Sequence, residues 1–228
     1  MAFTRNGFGQ VEPNQLSAQK TGQIYASLPL DTAVEVLQNG EFMYYDYANK
    51  SVNAGKAAAT GVVATQGEPM LVFNEIKLYE PFWRTSYKDF AMIRVGDNYV
   101  TSKLATEKYG ENADLVQASY QNHNLEYQYR MAGIAPRLFK TNIGDIYTTN
   151  MVALTKKEGE TEVEITYAVG DILAPEKVTH TASDGTSTYE TLVLTPQDSL
   201  PDAGMAWMVV QVYTMPDGQP GLKLQRVQ

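Results

Sequence analysis

The last third of the sequence is written as strand, turn, strand. Met151–Leu154 and Glu160–Val169 flank Lys156-Lys157-Glu158-Gly159, Val178–Ala182 and Thr186–Leu194 flank Ser183-Asp184-Gly185, and Met205–Met215 and Leu222–Val227 flank Pro216-Asp217-Gly218-Gln219-Pro220-Gly221. Short runs rich in β-branched and aromatic residues, broken by Gly and Asp that tolerate turn conformations, read as hairpins. Three in succession predict a mainly β protein, an antiparallel sandwich or barrel with little helix.

The same grammar starts earlier. Asp31 to Leu37 ends at Gln38-Asn39-Gly40, a dipeptide that favours a hairpin turn, and Glu41 to Tyr47 follows with Phe42 and Tyr44 on one face and Met43, Tyr45 and Tyr47 on the other. A strand apolar on both faces is covered on both sides. Residues 48–67, with Gly55, Gly61 and Gly67, read as a loop holding one short strand, and further strands are expected over Glu68–Tyr79 and Tyr87–Val95. Ser102 to Gln121 is the best helical candidate, and 120–129 has no assignment. Gly96-Asp97, Gly144-Asp145 and Gly170-Asp171 each follow a β-branched residue and suit entry to a strand. This echo suits turn chemistry more simply than duplication.

Residues 1–30 differ from the rest. They are rich in Gly, Asn, Gln and Ser, and the apolar residues Phe3, Phe8, Val11, Leu16, Ile24 and Leu28 follow no period. We read 1–30 as an extended amino-terminal arm whose anchors need pockets on its own domain or on a neighbour, and 31–228 as a β domain. If that domain divides into two subdomains, the division falls near 130–150.

Charge and composition narrow the function. With 18 basic and 26 acidic residues the net charge is −8, and the cations are scattered, so contact with nucleic acid or an anionic membrane is not expected. No apolar run approaches a bilayer span, and no signal-peptide core opens the chain. There is no cysteine, hence no thiolate metal site, disulfide or cysteine nucleophile. The 15 tyrosines suit strands and interfaces.

A search for chemistry finds little. Of the two histidines, His123 and His180, only His180 has a nearby Ser183-Asp184, and Asp184 fits a turn cap better than a triad. Glu160, Glu162 and Glu164 share one strand face, which reads as a solvated row rather than a calcium site. Gly7-Phe8-Gly9 lacks the strand and helix of a dinucleotide loop. Phe82-Trp83 and Tyr44-Tyr45-Tyr47 suit packing or an interface before a sugar platform. No catalytic residue, metal site or cofactor is expected, and an enzyme is not.

The arm Met1-Ala2-Phe3-Thr4-Arg5-Asn6-Gly7-Phe8-Gly9, the stretch Gly22-Gln23-Ile24-Tyr25-Ala26-Ser27, the Leu37–Phe42 turn into a Tyr-rich strand and Val169-Gly170-Asp171-Ile172 together resemble tailed-bacteriophage capsid decoration (auxiliary or cement) proteins. The resemblance implies an oligomeric β-barrel or β-tulip protein, a trimer being one form. It would sit on the virion capsid surface, stabilise contacts between major capsid protein subunits, and be assembled in the host bacterial cytoplasm. Its capsid contacts would be Phe3, Arg5, Phe8, Ile24 and Tyr25. The alternative is a carbohydrate-binding module or head-fibre/adhesion segment using Phe82 and Trp83. A hydrolase with a carboxylate pair ranks last.

Overall fold

In a computed structural model, the structure describes residues 3, 5, 9–56, 67–74, 92–94, 135–158, 161–182, 185–215 and 218–228. The expected helix at 102–121, the segment 120–129, the strand at 87–91, Phe8, Phe82, Trp83, the Gly96-Asp97 turn, His123, Glu160 and Ser183-Asp184 lie outside them.

The fold is mainly antiparallel β, with an eleven-stranded sheet among the described residues that curls into a half-barrel. In chain order the strands are β1 (Val11–Gln15), β2 (Ile24–Tyr25), β3 (Val36–Gln38), β4 (Phe42–Asp46), β5 (Ser51–Asn53), β6 (Met70–Val72) and β7 (Met92–Arg94). They continue with β8 (Leu138–Phe139), β9 (Ile146–Thr149), β10 (Thr155–Glu158), β11 (Thr161–Glu164), β12 (Ile172–Thr181), β13 (Thr188–Gln197), β14 (Trp207–Thr214) and β15 (Pro220–Arg226). The sheet runs β1-β9-β15-β14-β12-β13-β4-β6-β8-β2, with β5 on β4, while β10-β11 and β3-β7 form separate pairs. The one helix among the described residues, α1 (Ser17–Thr21), ends on Gly22 in the left-handed region. None of the described helices is long and apolar enough to cross a membrane.

Two of the three late hairpins form where expected. β12 and β13 pair over ten residues each, closed by Gly185 at φ +71° with its N–H on the Ala182 carbonyl. β14 and β15 pair around Gly218, whose N–H bonds the Met215 carbonyl. The third hairpin also forms, with its turn displaced: Lys156, Lys157 and Glu158 are strand, and Glu158 pairs with Thr161. At Gly144-Asp145 and Gly170-Asp171 the glycine takes positive φ and the Asp carboxylate accepts a backbone N–H three residues back, from Asn142 and Ala168 respectively. Each then opens a strand, β9 or β12.

The Asn39-Gly40 hairpin does not form. β3 pairs with β7, and β4 pairs with β13, β6 and β5. Asn39 is instead buried against Asn74, donating Nδ2–H to its carbonyl and accepting its N–H, so the turn moves the chain from one sheet to another. Turn dipeptides permit a reversal, but both faces of β4 are apolar and need covering. Phe42, Met43 and Tyr45 are all buried. Phe42 meets Trp207 at 6.0 Å, and Trp207 meets Tyr147 edge-on at 4.8 Å, an aromatic centre for the core.

Residues 11–25 are built into this sheet. β1 is an edge strand on β9, with a register irregularity between Glu12 and Gln15 that accommodates Pro13, a residue strands accept only at edges or bulges. Side chains fasten it: Thr148 Oγ1 donates to Asn14 Oδ1 at 2.7 Å and the Tyr213 hydroxyl to Glu12 Oε2 at 2.5 Å. Leu16 and Ala18 are buried, and β2 pairs with β8.

Candidate functional site

A chain of buried polar groups that includes a core carboxyl and an imidazole lies where the 38–41 turn meets the β12–β13 hairpin. Glu41, only 1% exposed, accepts the Gln38 N–H at Oε2 (2.8 Å) and the Thr191 hydroxyl at Oε1 (3.1 Å). Thr191, fully buried on β13, is in turn 2.7 Å from Nε2 of His180 on β12. His180 stacks on Tyr189, its cross-strand partner, at 5.0 Å. Thus a chain of hydrogen bonds runs from a core carboxyl through a hydroxyl to a half-buried imidazole.

Arg5 completes the cluster from the amino-terminal segment. Its Nη1 is buried without a hydrogen-bond partner, and it acts electrostatically on both Glu41 and His180. Burial pushes the Glu41 carboxyl up to about 7, against the pull of Gln38, Thr191 and Arg5. Burial first, then Arg5, holds His180 below the ordinary imidazole range. Burial likewise lowers the Arg5 guanidinium, and Glu41 opposes it.

As catalytic machinery this arrangement fails on access, because the Thr191 hydroxyl is closed off from solvent and already engaged at both ends. Among the described residues no three His, Asp or Glu side chains converge as a metal set. Glu162 and Glu164 are exposed on β11, a solvated row. A recess of about 240 Å³ is lined by Tyr25, Glu68, Met70, Lys140 and Thr141, and both carboxylate oxygens of Glu68 are already engaged by Arg226 Nη2.

The residues expected to touch a capsid are placed differently from one another. Phe3 is 6% exposed and packs edge-on against Tyr167 at 5.4 Å, so its ring serves this chain's own core. Ile24 and Tyr25 are half-buried in β2, with Tyr25 against Tyr45. Arg5 faces inward. Of the two homes open to the arm's anchors, Phe3, Leu16 and Ile24 take the one on their own domain, because apolar pockets beside β8, β9 and Tyr167 are available without a partner. Sequence reading missed Glu41 and Thr191, whose only local signal was an acid after Asn-Gly and one Thr among several in a β run.

No family model matches the chain, and no curated protein or solved structure matches it.

Proposed function

We propose that this chain is a structural protein that works through its surface, binding the outside of a bacteriophage capsid with copies of itself and bridging major capsid protein subunits. One observation carries the surface reading: the Glu41–Thr191 hydrogen bond is wholly buried, whereas large apolar side chains stand in solvent. Val169 is 67% and Leu200 51% exposed, and they lie just outside the Ile172↔Gln197 pair that ends the β12–β13 ladder. The Gly170 N–H beside Val169 bonds the Val209 carbonyl, and exposed Val212 lies further along β14, beyond the Ile172↔Met208 pair at which β12 begins. Apolar groups gathered at one end of a sheet suit a protein interface. The capsid as partner rests on the sequence resemblance. Shell contacts would then come from these turns rather than from Phe3.

Co-expression with the major capsid protein of the encoding virus, followed by electron microscopy of the heads, tests it. Saturable density outside the shell, lost on Val169→Asp with Leu200→Asp, is the expected result. Heads that stay bare, or the same occupancy with both aspartates present, would reject it.

A further inference from the structure

The hydroxyl of Thr191 has one proton and two neighbours, and that arithmetic makes its direction informative. With Glu41 ionised, Thr191 donates to Oε1, so Nε2 of His180 has to be the donor to the Thr191 oxygen. With Glu41 neutral, the situation reverses. Oε2 already accepts the Gln38 N–H, so the acid proton sits on Oε1, the oxygen that faces Thr191. Glu41 then donates to Thr191, Thr191 donates to Nε2, and the imidazole proton moves to Nδ1.

We propose that Glu41, Thr191 and His180 form a proton-linked switch in which the Thr191 hydroxyl reverses direction and His180 exchanges its Nε2–H form for its Nδ1–H form. The proton added in the core is thereby signalled at a half-buried ring on the β12–β13 hairpin, where Nδ1 changes from acceptor to donor. The groups facing the cluster are Gln38 N–H from the turn, Thr191 and the stacked Tyr189 ring from β13, His180 from β12 and Arg5 from the amino-terminal segment. Arg5 is the one charge among them. It favours ionised Glu41, and by reciprocity ionised Glu41 holds Arg5 more tightly than the neutral acid does. Because the Glu41 carboxyl titrates at about 7 and His180 below the ordinary imidazole range, an interval exists in which both groups are neutral and the reversed chain is the populated form. The switch is independent of what the protein's surface binds.

Nitrogen-15 spectra of the imidazole rings in the full chain, recorded from acid to alkaline pH, test it. With only two histidines, a His123→Gln variant assigns His180. The expected result is an exchange of the protonated and unprotonated ring nitrogens with a midpoint near 7, retained in Thr191→Ser and absent in Thr191→Val and Glu41→Gln. Arg5→Gln should move the midpoint to higher pH. A His180 that keeps one neutral form until it becomes imidazolium would overturn the proposal, as would an exchange that survives Thr191→Val. If the valine and glutamine variants do not fold, Thr191→Ser and Arg5→Gln decide: loss of the exchange in the first, or an unmoved midpoint in the second, also overturns it.

Discussion

Glu41 and Thr191 are 150 positions apart in sequence and 3.1 Å apart in space, joined by a hydrogen bond that is wholly buried. It ties the turn before β4 to the centre of β13, beside the Leu192↔Phe42 pairing that connects the two strands. The bond leaves a core carboxyl whose ionisation works against the fold. Its folded pKa, about 7, lies above the ordinary 4.5, so its favourable contribution is complete below the ordinary value and is lost as pH rises through about 7. We expect stability to fall by roughly 3 kcal/mol across that interval from this group alone, and Glu41→Gln to flatten the dependence. Urea unfolding at pH 4.5, 6 and 8 measures it, and equal slopes in both proteins would refute it.

Gly40 sits at φ +91°, and a Cβ there would lie 2.5 Å from Met151 Cβ and 2.7 Å from Thr149 Oγ1. Both the backbone and the space exclude a side chain. Gly40→Ala is therefore expected to cost about 2 kcal/mol or more, and Met151→Ala added to it should give no relief, because alanine keeps the Cβ that crowds the site. Thermal unfolding of the single and double variants checks this, and a Gly40→Ala protein as stable as the parent would refute it.

The Tyr147 hydroxyl is fully buried without a hydrogen-bond partner, and burial raises its pKa well above the ordinary phenol. Replacing it by Phe keeps the edge-on contact with Trp207 and removes an unsatisfied polar group. Tyr147→Phe should stabilise the protein by about 1 kcal/mol. A loss of that size would mean the hydroxyl is satisfied.

Arg226 and Glu68 form an ion pair with unequal members. Arg226 is buried and also serves Thr141 and the Gln228 carbonyl, whereas the Glu68 side chain is 53% exposed. Removing the arginine strands several acceptors, so Arg226→Ala should cost about 3 kcal/mol or more. Removing the carboxylate leaves Nε and Nη1 their acceptors and uncovers the Nη2 side that Glu68 now caps, so Glu68→Ala should cost less than Arg226→Ala. Comparable losses in the two variants would contradict this ordering.

Residues 11–25 behave as part of the domain and not as a detachable arm. Leu16→Ala is expected to cost about 2–4 kcal/mol, the range for a buried large-to-small change. Deleting residues 1–25 removes β1, β2, Leu16 and Ala18 together and should abolish the cooperative transition seen by circular dichroism. A truncated protein that unfolds at the same denaturant concentration as the whole chain would disprove the integration.

What the sequence by itself determined is local. The reversals at Gly185 and Gly218, the Gly-Asp entries to β9 and β12 and the two-faced burial of β4 follow from backbone freedom, short-range capping and side-chain alternation within a few residues. Tertiary structure decided who pairs with whom. Asn39-Gly40 permits a hairpin, yet the apolar faces of β4 gain more from β13, β6 and β5, and Pro13 hides an edge strand whose partner lies more than 130 residues away. The Glu41–Thr191–His180 chain belongs to the same class. It exists because two distant strands pair, and pairing over such separations is governed by burial of whole faces, which no local pattern encodes.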